Sequence, residues 1–259
     1  MAEMNKELVW YITYGSNLSH ERFNCYIAGG TPEGSEKKFE GCRDKNLPRD
    51  VKETMLHQEL YFAENSASWQ NGGVAFIKNE INTNITTLCV KYLITRQQLE
   101  DIAKQETSTK RLIELDFEKA IEEGFTIYRQ AWYGKLLFLG IDDDIPQFTL
   151  TSEIDRENIQ RPSNEYLRMI ARGLQQQYDF SIADVSLYLF GMQGLGNLQA
   201  HEIYTIILNR DTTLEDAVRD MMNALIKNLS DAESPDAKAI VQANIDRFAN
   251  AYYGRITFE

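Results

Sequence analysis

Val9-Trp10-Tyr11-Ile12-Thr13-Tyr14-Gly15-Ser16-Asn17-Leu18 contains the change of pattern that decides how this 259-residue chain is read. Its first five residues are mostly β-branched or aromatic, which suits a strand covered on both faces. The run stops at Gly15, after which Leu18, Arg22, Cys25 and Tyr26 fall at helical spacing up to Ala28. A strand that turns through a glycine into a helix leaves successive backbone N–H groups without intrahelical acceptors. Gly15 lets a ligand approach the backbone, and Ser16 and Asn17 can cap or bind. Such a cradle suits a carboxylate or a phosphate, and a plain capped turn has the same pattern.

Beyond this turn, Gly29-Gly30-Thr31-Pro32-Glu33-Gly34 breaks the chain, and the charged segment from Thr31 to Glu53 reads as a long loop able to serve as a lid. Strands are expected at Glu59 to Ala63, Gly73 to Ile77, Thr86 to Ile94, Thr126 to Tyr133, Lys135 to Leu139 and Gln147 to Thr151. Thr95 is placed to N-cap a helix that passes through Leu99 and closes at Glu106. Arg161-Pro162-Ser163 introduces another, Asn164 to Gln177, with Tyr166, Leu167, Ile170, Ala171 and Leu174 on one face. Many short strands with few helices between them predict an α+β fold with a strongly curved sheet or barrel, rather than a βαβ ladder. Further on, Thr212-Thr213-Leu214-Glu215 offers a capping box, followed by the stripe Leu214, Val218, Met221, Leu225 and Leu229. Ser234-Pro235 opens a second helix with Ile240, Val241, Ile245, Phe248 and Tyr252 on its apolar face. These two helices form a hairpin whose stripes are buried against their own domain or against a second subunit.

Composition excludes several classes of function. Asp and Glu number 39 against 27 Lys and Arg, a net charge of −12, which disfavours binding to a phosphate backbone or an anionic membrane surface. Met1 to Glu7 has no signal-peptide character, and no run approaches the ~20 apolar residues that span a bilayer. Cys25, Cys42 and Cys89 include no C-x-x-C pair, so the expectation is a cytoplasmic protein with reduced thiols. Gly191 to Gly196 has neither dinucleotide nor Walker spacing, and Asp142-Asp143-Asp144 lacks a calcium loop's alternating ligands. His20, His57 and His201 are scattered and form neither a metal motif nor a triad, so no metal site is expected. Glu106 stands where the helix dipole disfavours a carboxylate, and is read as a surface acid or as one kept there for use.

Four ordered blocks carry a resemblance. Tyr14-Gly15-Ser16-Asn17-Leu18 is the first, and Leu60-Tyr61-Phe62 followed by Trp69-Gln70-Asn71-Gly72-Gly73-Val74-Ala75 the second. Cys89-Val90-Lys91-Tyr92-Leu93-Ile94, then Gln98-Leu99 through Gln105-Glu106, is the third, and Pro162-Ser163-Asn164-Glu165-Tyr166 through Gly173-Leu174 the fourth. Over residues 9 to about 180 these resemble, in order and approximate spacing, the γ-glutamylcyclotransferase family with its γ-glutamylamine-acting relatives. One departure stands out: the family's acid is usually followed by Gly, and here Thr107 follows Glu106.

The resemblance implies a small mixed β-barrel with flanking helices and one pocket over residues 1–180, with residues 181–259 a mostly helical extension outside it. It implies release of 5-oxoproline from a γ-glutamyl amide such as glutathione, a lyase or acyl-transfer reaction in which the substrate's own α-amine attacks its γ-carbonyl. Glu106 would be the general acid and base, and Tyr14, Gly15, Ser16, Asn17 and Leu18 would bind the substrate. Apart from the resemblance, the net charge of −12 gives an anionic substrate no long-range attraction, so recognition of its carboxylate is expected to be local, through the backbone donors at Gly15 and Ser16 and a nearby cation such as Arg22. No metal or organic cofactor is required, and the partner is a small molecule, with a homodimer an open option. A non-catalytic binding or interaction protein that keeps the pocket is the alternative.

Overall fold

The computed structural model describes residues 7–32 and 38–232, and then Lys238, Val241, Gln242, Ile245, Asp246, Phe248, Ala249 and Tyr252. The chain runs β1 (Leu8–Thr13), a 3-10 turn (Ser16–Leu18), α1 (His20–Ala28), β2 (Asp50–Leu56) and β3 (Leu60–Ser66). It continues through β4 (Gly72–Ile77), β5 (Thr87–Thr95), α2 (Arg96–Glu106), α3 (Phe117–Glu123), β6 (Phe125–Ile127), β7 (Lys135–Asp142) and β8 (Ile145–Thr151). Four helices follow: α4 (Asn164–Tyr178), α5 (Ile182–Leu189), α6 (Ala200–Leu208) and α7 (Leu214–Asp231).

All six residues of β1 are buried, as its unbroken apolar run requires, and β1 lies inside a six-stranded sheet of order β2-β5-β1-β8-β7-β6. It pairs antiparallel with β5 from Leu8–Thr95 to Thr13–Val90. Its parallel ladder with β8 is short, Trp10 with Gln147 and Tyr11 with Phe148. Phe23, Tyr26 and Ile27 of α1, Leu99 and Ile102 of α2, and Leu167, Ile170 and Leu174 of α4 join one core with this sheet. Each such side chain contributes about 1.5–3 kcal/mol on burial.

The α+β class holds, and the barrel does not. Among the described residues the six-stranded sheet is open at β2 and β6, and β3 and β4 form a separate two-stranded sheet. The outer side of β3 is occupied by irregular chain: Gln160 N–H donates to Phe62 O, Glu64 N–H to Asn158 O and Phe62 N–H to Gln193 O. With that edge taken, β3 does not join the large sheet. At the opposite end β6 is only three residues long, too short to close a ring.

The segment expected to be a lid is structured where it is described. Its last residues form β2, paired with β5 from Asp50–Leu93 to Leu56–Thr87. Before that, Phe39 and Cys42 are buried, Cys42 N–H donates to Ile27 O, and Gln98 Nε2 donates to the carbonyls of Asp44 and Asn46. The segment is thus fastened to α1 and α2; residues 33–37 of it lie outside the described residues. The strand expected over Thr126 to Tyr133 shortens to β6, and the N-cap of α7 is Thr213, whose hydroxyl accepts from Asp216 N–H, one register later than the expected box.

The stripe of α7 is covered within the chain. Val218, Met221 and Leu225 pack with Ala183 and Leu187 of α5, Ala200 and Tyr204 of α6, and Tyr252, while Leu214 and Leu229 are exposed. Val241, Ile245, Phe248 and Tyr252 are helical, and the expected start at Ser234-Pro235 and Ile240 lie outside the described residues.

Candidate functional site

The first half of the site is the turn after β1. Leu18 N–H donates to Gly15 O at 3.0 Å to close it, so the amides of Gly15, Ser16 and Asn17 stand ahead of its first hydrogen bond. The turn is held from below: Thr13 Oγ1 and Tyr92 Oη donate to Asn17 O at 3.3 and 2.9 Å. It is held from behind by α4, because a Cβ at Gly173 would stand 2.4 Å from the Leu18 backbone, an approach that only glycine permits. Leu18 itself is 1% exposed and packs in the core; it does not line the cavity.

Glu106, the last residue of α2, supplies the second half. Asn17 Nδ2 donates to Glu106 Oε1 at 3.0 Å, across 89 residues of sequence. α2 is set by a full capping box, with Thr95 Oγ1 accepting from Gln98 N–H and Gln98 Oε1 accepting from Thr95 N–H. Thr107 caps its C-terminus at φ −89°, ordinary backbone for any residue, and its hydroxyl donates to Ala103 O at 2.8 Å. The left-handed residue here is Ser108, at φ 49°. The missing glycine therefore costs nothing at position 107.

Around these groups lies a cavity of about 190 Å³, a size for a small molecule rather than a polymer. Tyr11, Tyr14, Gly15, Ser16, Asn17, Arg22, Tyr26 and Glu106 line it, as do Ser66, Ser68, Trp69, Ser108, Trp132, Tyr133 and Tyr166. Gly73 lets β4 reach the segment before α4, since a Cβ there would stand 2.2 Å from Gln160 O. Tyr166 then projects from the first turn of α4, its Oη accepting from Ala75 N–H at 3.0 Å and its ring meeting Trp69 edge-on. Tyr133 Oη donates to Ala75 O and Tyr14 Oη to Leu150 O.

The wall is one of protonated hydroxyls. Burial first, then the charge of Glu106, pushes the phenols of Tyr11 and Tyr26 well above the ordinary tyrosine value. Burial likewise raises Tyr14, Tyr133 and Tyr166, and Glu106 adds to each. The cysteines are not poised as nucleophiles: burial pushes the Cys42 thiol up to about 12, and Cys25 and Cys89 move the same way. Among the described residues no three His, Cys, Asp or Glu side chains are grouped to hold a metal ion. Asp142 pairs with Lys91, and Asp143 and Asp144 form the left-handed turn into β8.

Of the residues singled out in the sequence, Tyr14, Gly15, Ser16, Asn17, Arg22 and Glu106 meet in this cavity. Sequence reasoning did not place Ser66, Ser68, Ser108, Trp132 and Tyr133 there. Ser66 ends β3 and the others come from turns and loops, all of unremarkable composition, and only the Trp69 and Tyr166 blocks gave a local signal.

No protein-family model matches the chain. Over 205 residues it is 31% identical to "Histone deacetylase 5" of Arabidopsis thaliana, an alignment covering 73% of this chain and 31% of that protein. The chain thus spans about a third of that relative's length. In fold it is similar to a solved gamma-glutamyl cyclotransferase. That alignment has a TM-score of 0.43 and 16% identity, over 79% of this chain and all of the other. An uncharacterised protein from Homo sapiens aligns with a TM-score of 0.41 and 16% identity, over 78% of this chain and 99% of that one. Among the described residues no helix is long and apolar enough to cross a membrane.

Proposed function

We propose that this pocket releases 5-oxoproline from a γ-glutamyl amide by intramolecular aminolysis, with Glu106 moving the protons. The observation that carries the reading is the Asn17–Glu106 hydrogen bond, which joins the turn after β1 to the acid that ends α2 inside one small cavity. It is supported by the four sequence blocks, whose residues Tyr14 to Asn17, Trp69, Val74, Ala75, Glu106 and Tyr166 all line that cavity.

The chemistry follows from those positions. The α-amine attacks the γ-carbonyl carbon of the same molecule, so the nucleophile is already tethered. The Glu106 carboxylate takes the proton that the amine sheds as the new C–N bond forms. It returns a proton to the departing nitrogen as the old C–N bond breaks, giving 5-oxoproline and a free amine. Asn17 holds the carboxylate through Nδ2. Its Oδ1 is buried without a protein partner among the described residues and is free to accept from the substrate's amine. The amides of Gly15, Ser16 and Asn17 face the oxyanion that develops on the γ-oxygen. In this reading residues 1–180 carry the reaction, and residues 181–259 are a helical addition.

The test is to incubate the protein and its Glu106→Gln variant with glutathione, γ-glutamyl amino acids and γ-glutamyl-lysine, assaying 5-oxoproline and titrating each ligand by calorimetry. The proposal expects turnover of at least one substrate and its loss in the variant with binding retained. Binding to the wild type without turnover would favour a non-catalytic pocket instead.

A further inference from the structure

Arg22 is 4% exposed, yet its guanidinium faces no carboxylate within ion-pair distance among the described residues. It projects from α1 one turn after the cradle, where its Nε–H donates to Ser16 Oγ at 2.9 Å. Three rings pack around it: Trp69 at 4.8 Å, Phe39 at 5.2 Å and Tyr26 at 5.6 Å from the Cζ atom. Cation–π contacts of this kind offset part of the cost of taking a charge from water, but they do not supply a counter-ion. A buried guanidinium packed among aromatic faces, with one neutral acceptor among the described residues and a side on a cavity, keeps N–H groups able to bind an anion.

Among the described residues that line the cavity, Arg22 is the one Lys or Arg and Glu106 the one Asp or Glu. Both charges act on the same two phenols: Tyr26 and Tyr166 are raised by burial first, further by Glu106, and in the opposite sense by Arg22. Lining the same cavity, the two give it one cationic and one anionic group. We propose that Arg22 binds the α-carboxylate of the substrate as a fork, through its guanidinium N–H groups, while Glu106 faces the α-amine. This deepens the function proposed above: the ligand class is a compound with a free amine and a free carboxylate on one carbon. It also divides the labour in the cradle. With the carboxylate on Arg22, the Gly15 to Asn17 amides are left for the γ-oxygen. Ser16, bonded to Arg22, orients the guanidinium.

The test uses two ligands that differ only at the α-position, a γ-glutamyl methylamide with its carboxylate and the same compound with a neutral carboxamide there. The wild type should bind the carboxylate form roughly 10–100-fold more tightly, as a charge-assisted pair predicts. Arg22→Met should raise KM for that form by about the same factor, leave kcat within about threefold and leave the carboxamide form unchanged. Arg22→Lys should recover part of the preference. An Arg22→Met protein that still prefers the carboxylate, or a wild type with no preference, would overturn the proposal. Should Arg22→Met not fold, the Nε–H resonance of Arg22 in 15N-arginine-labelled wild type decides. It must shift on titration with the carboxylate ligand and not with the carboxamide, and the converse counts against the assignment. If neither compound is turned over, the catalytic reading fails while calorimetric binding still reports on Arg22.

Discussion

Asp101 and Glu106 lie five residues apart on α2 and have opposite surroundings. Asp101 is closed off: its carboxylate accepts from Arg43 N–H at 2.8 Å and from Arg43 Nε at 2.9 and 3.0 Å. Its side chain is 7% exposed, and Arg43 reaches on to Glu100. Glu106 has no ion pair among the described residues; its partners are neutral, the amide of Asn17 and the phenol of Tyr26, and it lines the cavity. The same contrast holds for the arginines: Arg43 is ion-paired, and Arg22 has no ion pair among the described residues. A charge whose partners are complete fastens α2 to the chain before β2, whereas a charge left with a neutral partner keeps its capacity for a ligand.

Exchanging the roles of the two acids is the sharpest way to break this contrast. Glu106→Gln should lower 5-oxoproline formation by about 10³-fold, in the range that general acid–base catalysis contributes, with the thermal midpoint hardly moved. Asp101→Asn should do the reverse, costing about 1–2 kcal/mol in denaturant unfolding, since Arg43 is partly exposed and screened, while the rate per folded molecule stays the same. Equal effects of the two substitutions on rate would erase the distinction.

The C-terminal helices extend the comparison to a region away from the cavity. Met221 of α7 is fully buried among α5 and α6. Met221→Ala should cost about 2–4 kcal/mol of stability by leaving a cavity, and kinetics well below the melting temperature should show kcat unchanged. A fall in kcat would tie α7 to the site.

Smaller effects probe the cradle and its wall. A Cβ on Gly15 would lie 3.0 Å from Tyr166 Oη and 3.1 Å from the Ala75 methyl, so Gly15→Ala should crowd the ligand and raise KM by roughly tenfold. The tyrosines set the alkaline limit. Tyr11, Tyr14, Tyr26 and Tyr133 have folded-state pKa values raised by burial above 10.0, so the unfolded chain loses these protons first. Their contribution to stability is complete below pH 10.0 and is lost as pH rises beyond it, which urea titrations between pH 9 and 11 should show as a falling midpoint only at the upper end.

What the sequence disclosed depended on how local the signal was. β1, its glycine turn, β5 and the capped start of α2 are set by neighbours within about ten residues, and they are legible. β2 was hidden by its unbroken polar run Lys52, Glu53 and Thr54 on a sheet edge, a pattern as good for a loop as for a strand. The barrel was inferred from strand number, yet closure depends on which strands pair. The contacts that keep β3 out come from residues 158–160 and Gln193, about a hundred residues away. In the site, Tyr14 to Asn17 and Glu106 lie at element ends where a pattern breaks and can be seen. Trp132 and Tyr133 enter from a turn that only the folded chain brings to the cavity.

The central claim is that the substrate's own amine, not water, attacks the γ-carbonyl beside Glu106. The most direct measurement is turnover of a γ-glutamyl amide in 18O-labelled water with mass analysis of the product. The account predicts 5-oxoproline and free amine in equal amounts, with no label from solvent in the lactam. Glutamate carrying one 18O would identify hydrolysis and contradict it.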